Sequence, residues 1–243
     1  MTSRTDVKRP LRPLCSPPRS CAGLGLLLLL AGCQEGTSEP QDQPVWPEGT
    51  VLVCDGEPIT AEEVDPIALA LQPLGPRFTL PHLRRLALTN VCLPLAAGRA
   101  QTDSSRLGQA LKEAMAFYSN VSNGHDGSSL VPEAPTELIE GAQDSLGVPL
   151  WVLIQGQEPG EWSEIEELPG RYVVARLLES NDDPQPQRRL YKVEIASFAY
   201  VDNSSSLPSA ALNASYTFVD PVWELLIPGS WRYHKPEGPD QAD

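Results

Sequence analysis

Histidine is scarce in this chain. There are three in 243 residues, His82, His125 and His234, and their spacing matches no metal motif such as H-E-x-x-H. No metal site is expected. A Gly-x-Ser-x-Gly elbow, a Walker loop and a dinucleotide fingerprint are all lacking, which removes the enzyme classes built on them and leaves no expected cofactor. Basic residues are few: 18 Lys and Arg face 32 Asp and Glu, a formal net charge of −14. Such a surface repels phosphate backbones and anionic lipid, so nucleic acid is not an expected partner. The adjacent carboxylates Glu62-Glu63, Glu166-Glu167 and Asp182-Asp183 read as solvated charge rather than acid–base pairs. Long apolar runs are also missing. The run at 22–31 (AGLGLLLLLA) makes roughly 15 Å of helix, about half the thickness of a bilayer core.

What is present begins with that short run. Residues 1–21 carry Arg4, Lys8, Arg9, Arg12 and Arg19 against a single acid, Asp6, and the apolar helix follows. This is the layout of a secretory signal. Leu30-Ala31-Gly32-Cys33 closes it and resembles the bacterial lipobox, in which small residues expose the bond to a membrane protease and the following cysteine is acylated. Cys33 is therefore the expected lipid anchor. Each buried methylene contributes about 0.8 kcal/mol, so two or three acyl chains would hold the protein essentially permanently. Gln34 after the cysteine resembles the outer-membrane sorting pattern of enteric bacteria. The expected location is the cell envelope, on the periplasmic face of the outer membrane. Loss of the leader removes five basic residues and one acid, so the mature chain is more acidic still.

Two thiols besides Cys33 remain in the mature chain, Cys54 and Cys92. In an oxidising compartment they could pair, closing a loop of about 40 residues worth roughly 4 kcal/mol. They could equally be two buried free thiols acting as small hydrophobes.

The chain holds 25 prolines and 18 glycines, which points to short elements and many loops. Residues 33–50, rich in Pro, Glu and Gln, read as a flexible tether. A short strand at 51–54 turns at Asp55-Gly56, and Thr60-Ala61-Glu62-Glu63 is a capping box opening a helix near Ala61. A second helix begins at Pro81, with Leu83, Leu86, Ala87, Val91 and Leu95 at three- and four-residue steps and a kink near Asn90 imposed by Pro94. A third carries Leu107, Ala110, Leu111, Ala114 and Phe117 and starts at Thr102 or Asp103. Residues 119–129 read as a loop and 135–143 as a short helix. The Val/Ile/Leu/Tyr-rich runs 151–154, 171–178 and 189–200 read as strands.

Two stretches are similar to members of the SurA/PrsA family of exported parvulin-type foldases. Residues 51–64 (VLVCDGEPITAEEV) resemble the opening of that family's chaperone domain. Residues 158–179 (EPGEWSEIEELPGRYVVARLLE) resemble the end of a parvulin domain, where a Pro-Gly-Glu turn precedes a Gly-aromatic-His strand. The resemblance implies an α+β fold: a helical chaperone-like segment with a small antiparallel-sheet parvulin-like part. Its expected division is a signal peptide at 1–32, a tether at 33–50, a helical domain at 51–118, a parvulin-like region at 119–202 and an extension at 203–243. Tyr172 occupies the family's histidine position, and no Ala-Arg-His-Ile-Leu-like strand precedes it. The isomerase pocket is therefore expected to be degenerate, and no catalytic residue is assigned. The function implied is a lipid-anchored, holdase-like binding module for unfolded or exported polypeptides, with Leu83 and Leu86 as a client groove. An active prolyl isomerase and a structural lipoprotein of the envelope are the alternatives.

Overall fold

The computed structural model describes residues 45–123, 136–181, 183–185 and 188–232. The leader, the lipobox Leu30–Cys33, His125 and His234 lie outside them. The described chain is α+β, with two antiparallel sheets and helices packed around them.

The fold starts with β1 (Thr50–Cys54), every residue of which is buried. Asp55 (φ 50°) and Gly56 (φ 89°) form a two-residue turn in the left-handed region, which Asp-Gly tolerates and which suits the twist of a hairpin. β2 (Glu57–Thr60) returns antiparallel, Cys54 facing Glu57. Thr60 then caps α1 (Ala61–Ala70) in the expected capping box: Glu63 N–H donates to Thr60 Oγ1 at 3.3 Å, and Thr60 N–H donates to Glu63 Oε2 at 2.8 Å. On its other edge β1 pairs with β7 (Tyr216–Phe218), so the first and last strands of the fold are neighbours.

The Pro81 helix is interrupted around Asn90, where the kink was expected. α2 (Leu80–Ala87) runs through a π-helical turn, Leu88–Cys92, into α3 (Leu93–Ala100). Pro94 has no N–H to return to the preceding turn, and the helix widens there. Thr89 Oγ1 and Asn90 Nδ2 donate to the carbonyls of Arg85 and Leu86, at 2.9 and 2.8 Å.

α4 (Ser104–Ser122) starts where expected, with the Asp103 carboxylate accepting from Ser105 N–H and Arg106 N–H. It overruns the expected loop as far as Ser122. Two further expectations fail. Residues 137–141 form β3 (Glu137–Gly141) rather than helix, because pairing with β6 (Tyr191–Ala199) captures them. Residues 151–154 lie in a helix rather than a strand. α5 (Gln143–Leu146) ends at Gly147 (φ 74°), and Pro149 in the first turn starts α6 (Val148–Ile154).

The larger sheet has the order β3-β6-β5-β4, with β4 (Glu166–Leu168) and β5 (Arg171–Ser180) completing it. Alternation along β5 and β6 splits two cores. Val173, Ala175, Leu177, Tyr191, Val193 and Ile195 face the core that includes β1, α1–α3 and α6. Tyr172, Val174, Ala196 and Phe198 face α4, where Ala110, Ala114 and Phe117 close over them. The first core collects residues from Val51 to Ile227. Described residues on either side of the boundaries expected at 118/119 and 202/203 contribute to the same cores.

Phe117 anchors the second core, 1% exposed, with its ring edge-on to Trp162 at 5.3 Å and tilted against Phe198 at 5.8 Å. Phe117→Ala is expected to cost about 3–5 kcal/mol. In urea unfolding this lowers the midpoint and leaves the slope unchanged.

Candidate functional site

The position that the resemblance assigns to a catalytic histidine is sealed. Tyr172 is 6% exposed on β5, opposite Phe198, and packs beneath α4 with its ring 5.6 Å from that of Tyr200. Among the described residues it faces a core closed by α4. The expected groove is closed as well. Leu83 is buried and Leu86 is half-buried against the first core, so neither forms an open wall. An amphipathic stripe on α2 was legible in sequence, but the packing of α1 and of the 3₁₀ segment Pro221–Leu226 against it was not.

Cys54 and Cys92 are both buried and free in this structure. Burial pushes the Cys54 thiol up to about 12, with Asp55 and Glu57 adding to it. Burial likewise pushes Cys92 up to about 12, with a further contribution from Glu63. A nucleophilic cysteine needs a stabilised thiolate, and both sites do the opposite.

The main polar cluster lies where α3 meets the β4–β5 turn. Arg99 donates from Nε and Nη2 to the two oxygens of Glu167, at 3.0 and 2.7 Å, and its Nη1 stands 3.7 Å from Glu63 of the capping box. Tyr200 O–H donates to Glu167 Oε1 at 2.9 Å and accepts from Gly170 N–H at 3.3 Å. Burial works against the Arg99 charge, but the hydrogen bonds and charge of Glu167 outweigh it and raise the pKa. Burial and then the Glu167 charge raise that of Tyr200. Every group here is turned towards another group of the fold. The cluster positions elements and offers no free base or nucleophile. Sequence reading found Glu63 through its cap; Arg99, Glu167 and Tyr200 are 33 to 101 residues apart and carry no local signal.

A shallow cleft of about 220 Å³ lies beside it, lined by Thr102, Asp103, Arg106, Asp202 and Asn203 among others. Its polar groups are also spent. Asp103 caps α4, Asn203 Oδ1 accepts from Ser205 N–H at 3.2 Å, Thr102 Oγ1 donates to Gly98 O, and Arg106 pairs with Asp202. Among the described residues, no group of three or more His, Cys, Asp or Glu could hold a metal ion, and no helix is long and apolar enough to cross a membrane. Comparison with protein-family models, with curated proteins and with solved structures gives no match.

Removing one partner of the Arg99–Glu167 pair leaves the other charge largely desolvated. Arg99→Met is expected to destabilise by about 3–5 kcal/mol, and adding Glu167→Met should restore a large part of it. Chemical denaturation of the two variants checks this. The thiols generate a second expectation. Folded Cys54 and Cys92 keep their protons up to about pH 12, whereas unfolded thiols lose theirs near 8.5. The folded state binds more protons in that window, so stability falls as pH rises from about 8.5 towards 12. Residues 34–243 should show no thiol reactive with Ellman's reagent when native and two when denatured. Zero in both states would reveal a disulfide.

Proposed function

We propose that this chain is a lipid-anchored cell-envelope protein that binds segments of unfolded or exported polypeptides, in the manner of a holdase, and performs no covalent chemistry on them. The carrying observation is the free edge of β3. β6 pairs one side of this strand, and no described strand pairs the other. Leu138, 57% exposed, stands on it. An open strand edge is read by main-chain hydrogen bonds, which tolerate varied side chains, as a binder of diverse extended chains requires. Glu137 and Glu140 flank Leu138 and limit self-pairing, since two such edges would oppose like charges.

Two further points support the reading. Lipobox-like Leu30-Ala31-Gly32-Cys33 would hold the body beside a membrane that exported chains cross. The burial of Tyr172 disfavours the isomerase alternative, because rotation about a prolyl bond needs a shaped pocket for the twisted amide.

Residues 34–243 are expected to suppress the light scattering of an aggregating client, and Leu138→Pro to lose most of that effect while the melting temperature stays close to wild type. A scattering curve unchanged across a molar excess of protein defeats the proposal. A protease-coupled proline-peptide assay is expected to show only the uncatalysed rate.

A further inference from the structure

Charge is distributed very unevenly in this acidic chain. From 66 to 102 there is not one Asp or Glu, yet there are four arginines, Arg77, Arg84, Arg85 and Arg99. Two of these are consumed inside the fold: Arg84 by Asp65 and Arg99 by Glu167. Arg77 and Arg85 form no ion pair among the described residues and lie exposed at the α1–α2 corner. Beside them Leu69, Phe78 and Leu80 are 58%, 42% and 42% exposed.

The corner is built rather than loose. Phe78 N–H donates to Gly75 O at 2.8 Å, and the Phe78 ring occupies the space that a Cβ on Gly75 would need. The ring is also tilted against His82, with centroids 4.3 Å apart, and His82 Nδ1 lies 2.9 Å from Arg85 Nη2. An aromatic ring is thus held outward beside two unpaired cations.

A second apolar feature adjoins it. The 3₁₀ segment Pro221–Leu226 packs against α2, with Trp223 buried beneath the Arg84 guanidinium at 4.9 Å. With three residues per turn, Val222 and Leu225 share one face, and they are 64% and 77% exposed. This segment joins the tethered end of the fold, since Val219 and Asp220 N–H both donate to Val51 O. The 17 residues from Cys33 to Thr50 reach at most about 60 Å from a membrane anchor.

We propose that this corner docks on an anionic lipid surface, with Phe78, Leu80, Val222 and Leu225 entering the headgroup region and Arg77 and Arg85 lying over lipid phosphates. The inference rests on the lipid-anchored reading and goes beyond it by assigning the face that meets the bilayer. Of the acids on these elements, Asp65 is paired with Arg84, whereas Asp220, which accepts from the Val222 N–H, and the exposed Glu224 keep their charge on the Pro221–Leu226 segment, apart in sequence from Arg77 and Arg85 beside Phe78 and His82. The net negative charge of the remaining surface is screened over about 8 Å at physiological salt, so a bilayer in contact with the corner senses mainly the corner.

The test uses unacylated residues 34–243, which contain the whole described fold, in sedimentation with vesicles of phosphatidylethanolamine and phosphatidylglycerol. Binding is expected, and it should weaken with salt and with omission of the phosphatidylglycerol. Arg77→Glu with Arg85→Glu should reduce it about tenfold or more, and Phe78→Ser with Leu80→Ser should act in the same direction. Either arginine reversed alone should also weaken it, whereas Lys112→Glu, the same single change of charge on α4, should leave binding unaltered. No sedimentation with either lipid mixture, or equal loss with Lys112→Glu, overturns the proposal. So does a dimer in light scattering that the corner variants dissociate, which would give this face to a second copy. Mass spectrometry of Cys33 in the full chain reads the anchor separately: an acylated protein whose body ignores vesicles would defeat the docking alone.

Discussion

The guanidinium of Arg99 is the point through which the parts of this fold are tied. It leaves α3 and meets both oxygens of Glu167 on β4, while the third nitrogen approaches the carboxylate that caps α1. Tyr200, at the end of β6, shares Glu167 and reaches the backbone of the β4–β5 turn. Helical and sheet portions are thereby registered by one charge-assisted lattice. Close backbone approach makes this possible. Gly170 (φ 80°) would place a Cβ 3.0 Å from Leu207 Cδ1, and a Cβ on Gly98 would lie 3.4 Å from Gly170 N. Glycine at these two positions lets α3 and the turn come near enough for Arg99 to reach.

Features governed by neighbours in sequence were legible. The Asp-Gly turn, the capping box at Thr60 and the Asp103 cap each depend on residues within three positions. The alternation of Tyr191, Val193 and Ile195 announced β6 because its two faces meet different surroundings. The misread segments were decided from afar. VPLWVLI is apolar nearly throughout, so periodicity cannot separate a short buried helix from a strand. ELIEG has good helix formers, yet β6 offers it a ladder and a partner for Ile139 in Val193. The Arg99 lattice, the β1–β7 pairing and the open β3 edge arise only from tertiary placement.

For function, the same division holds. The basic, then apolar, amino-terminal run and the lipobox-like Leu30-Ala31-Gly32-Cys33 are local signals, and the proposed location rests on them. The activity reading depends on what surrounds each side chain. An aromatic residue at a family's histidine position could line a rebuilt pocket or fill a core; here α4 closes over Tyr172. Leucines at helical spacing could line a groove or a core, and Leu83 belongs to the core. What remains outward is different in kind: a strand edge that no described strand pairs, and a corner carrying Arg77, Arg85 and Phe78. Both are suited to recognition through surface contact.

The pairing of β1 with β7 has a consequence for how the molecule comes into being. A polypeptide is synthesised amino-terminus first, and β1 waits for Tyr216–Phe218, more than 160 residues behind it, before its second edge is satisfied. Ser215 N–H completes the closure by donating to the Asp55 side chain at 2.7 Å. The domain therefore cannot finish assembling until nearly the whole of the described fold has been synthesised and its last strand is free to pair.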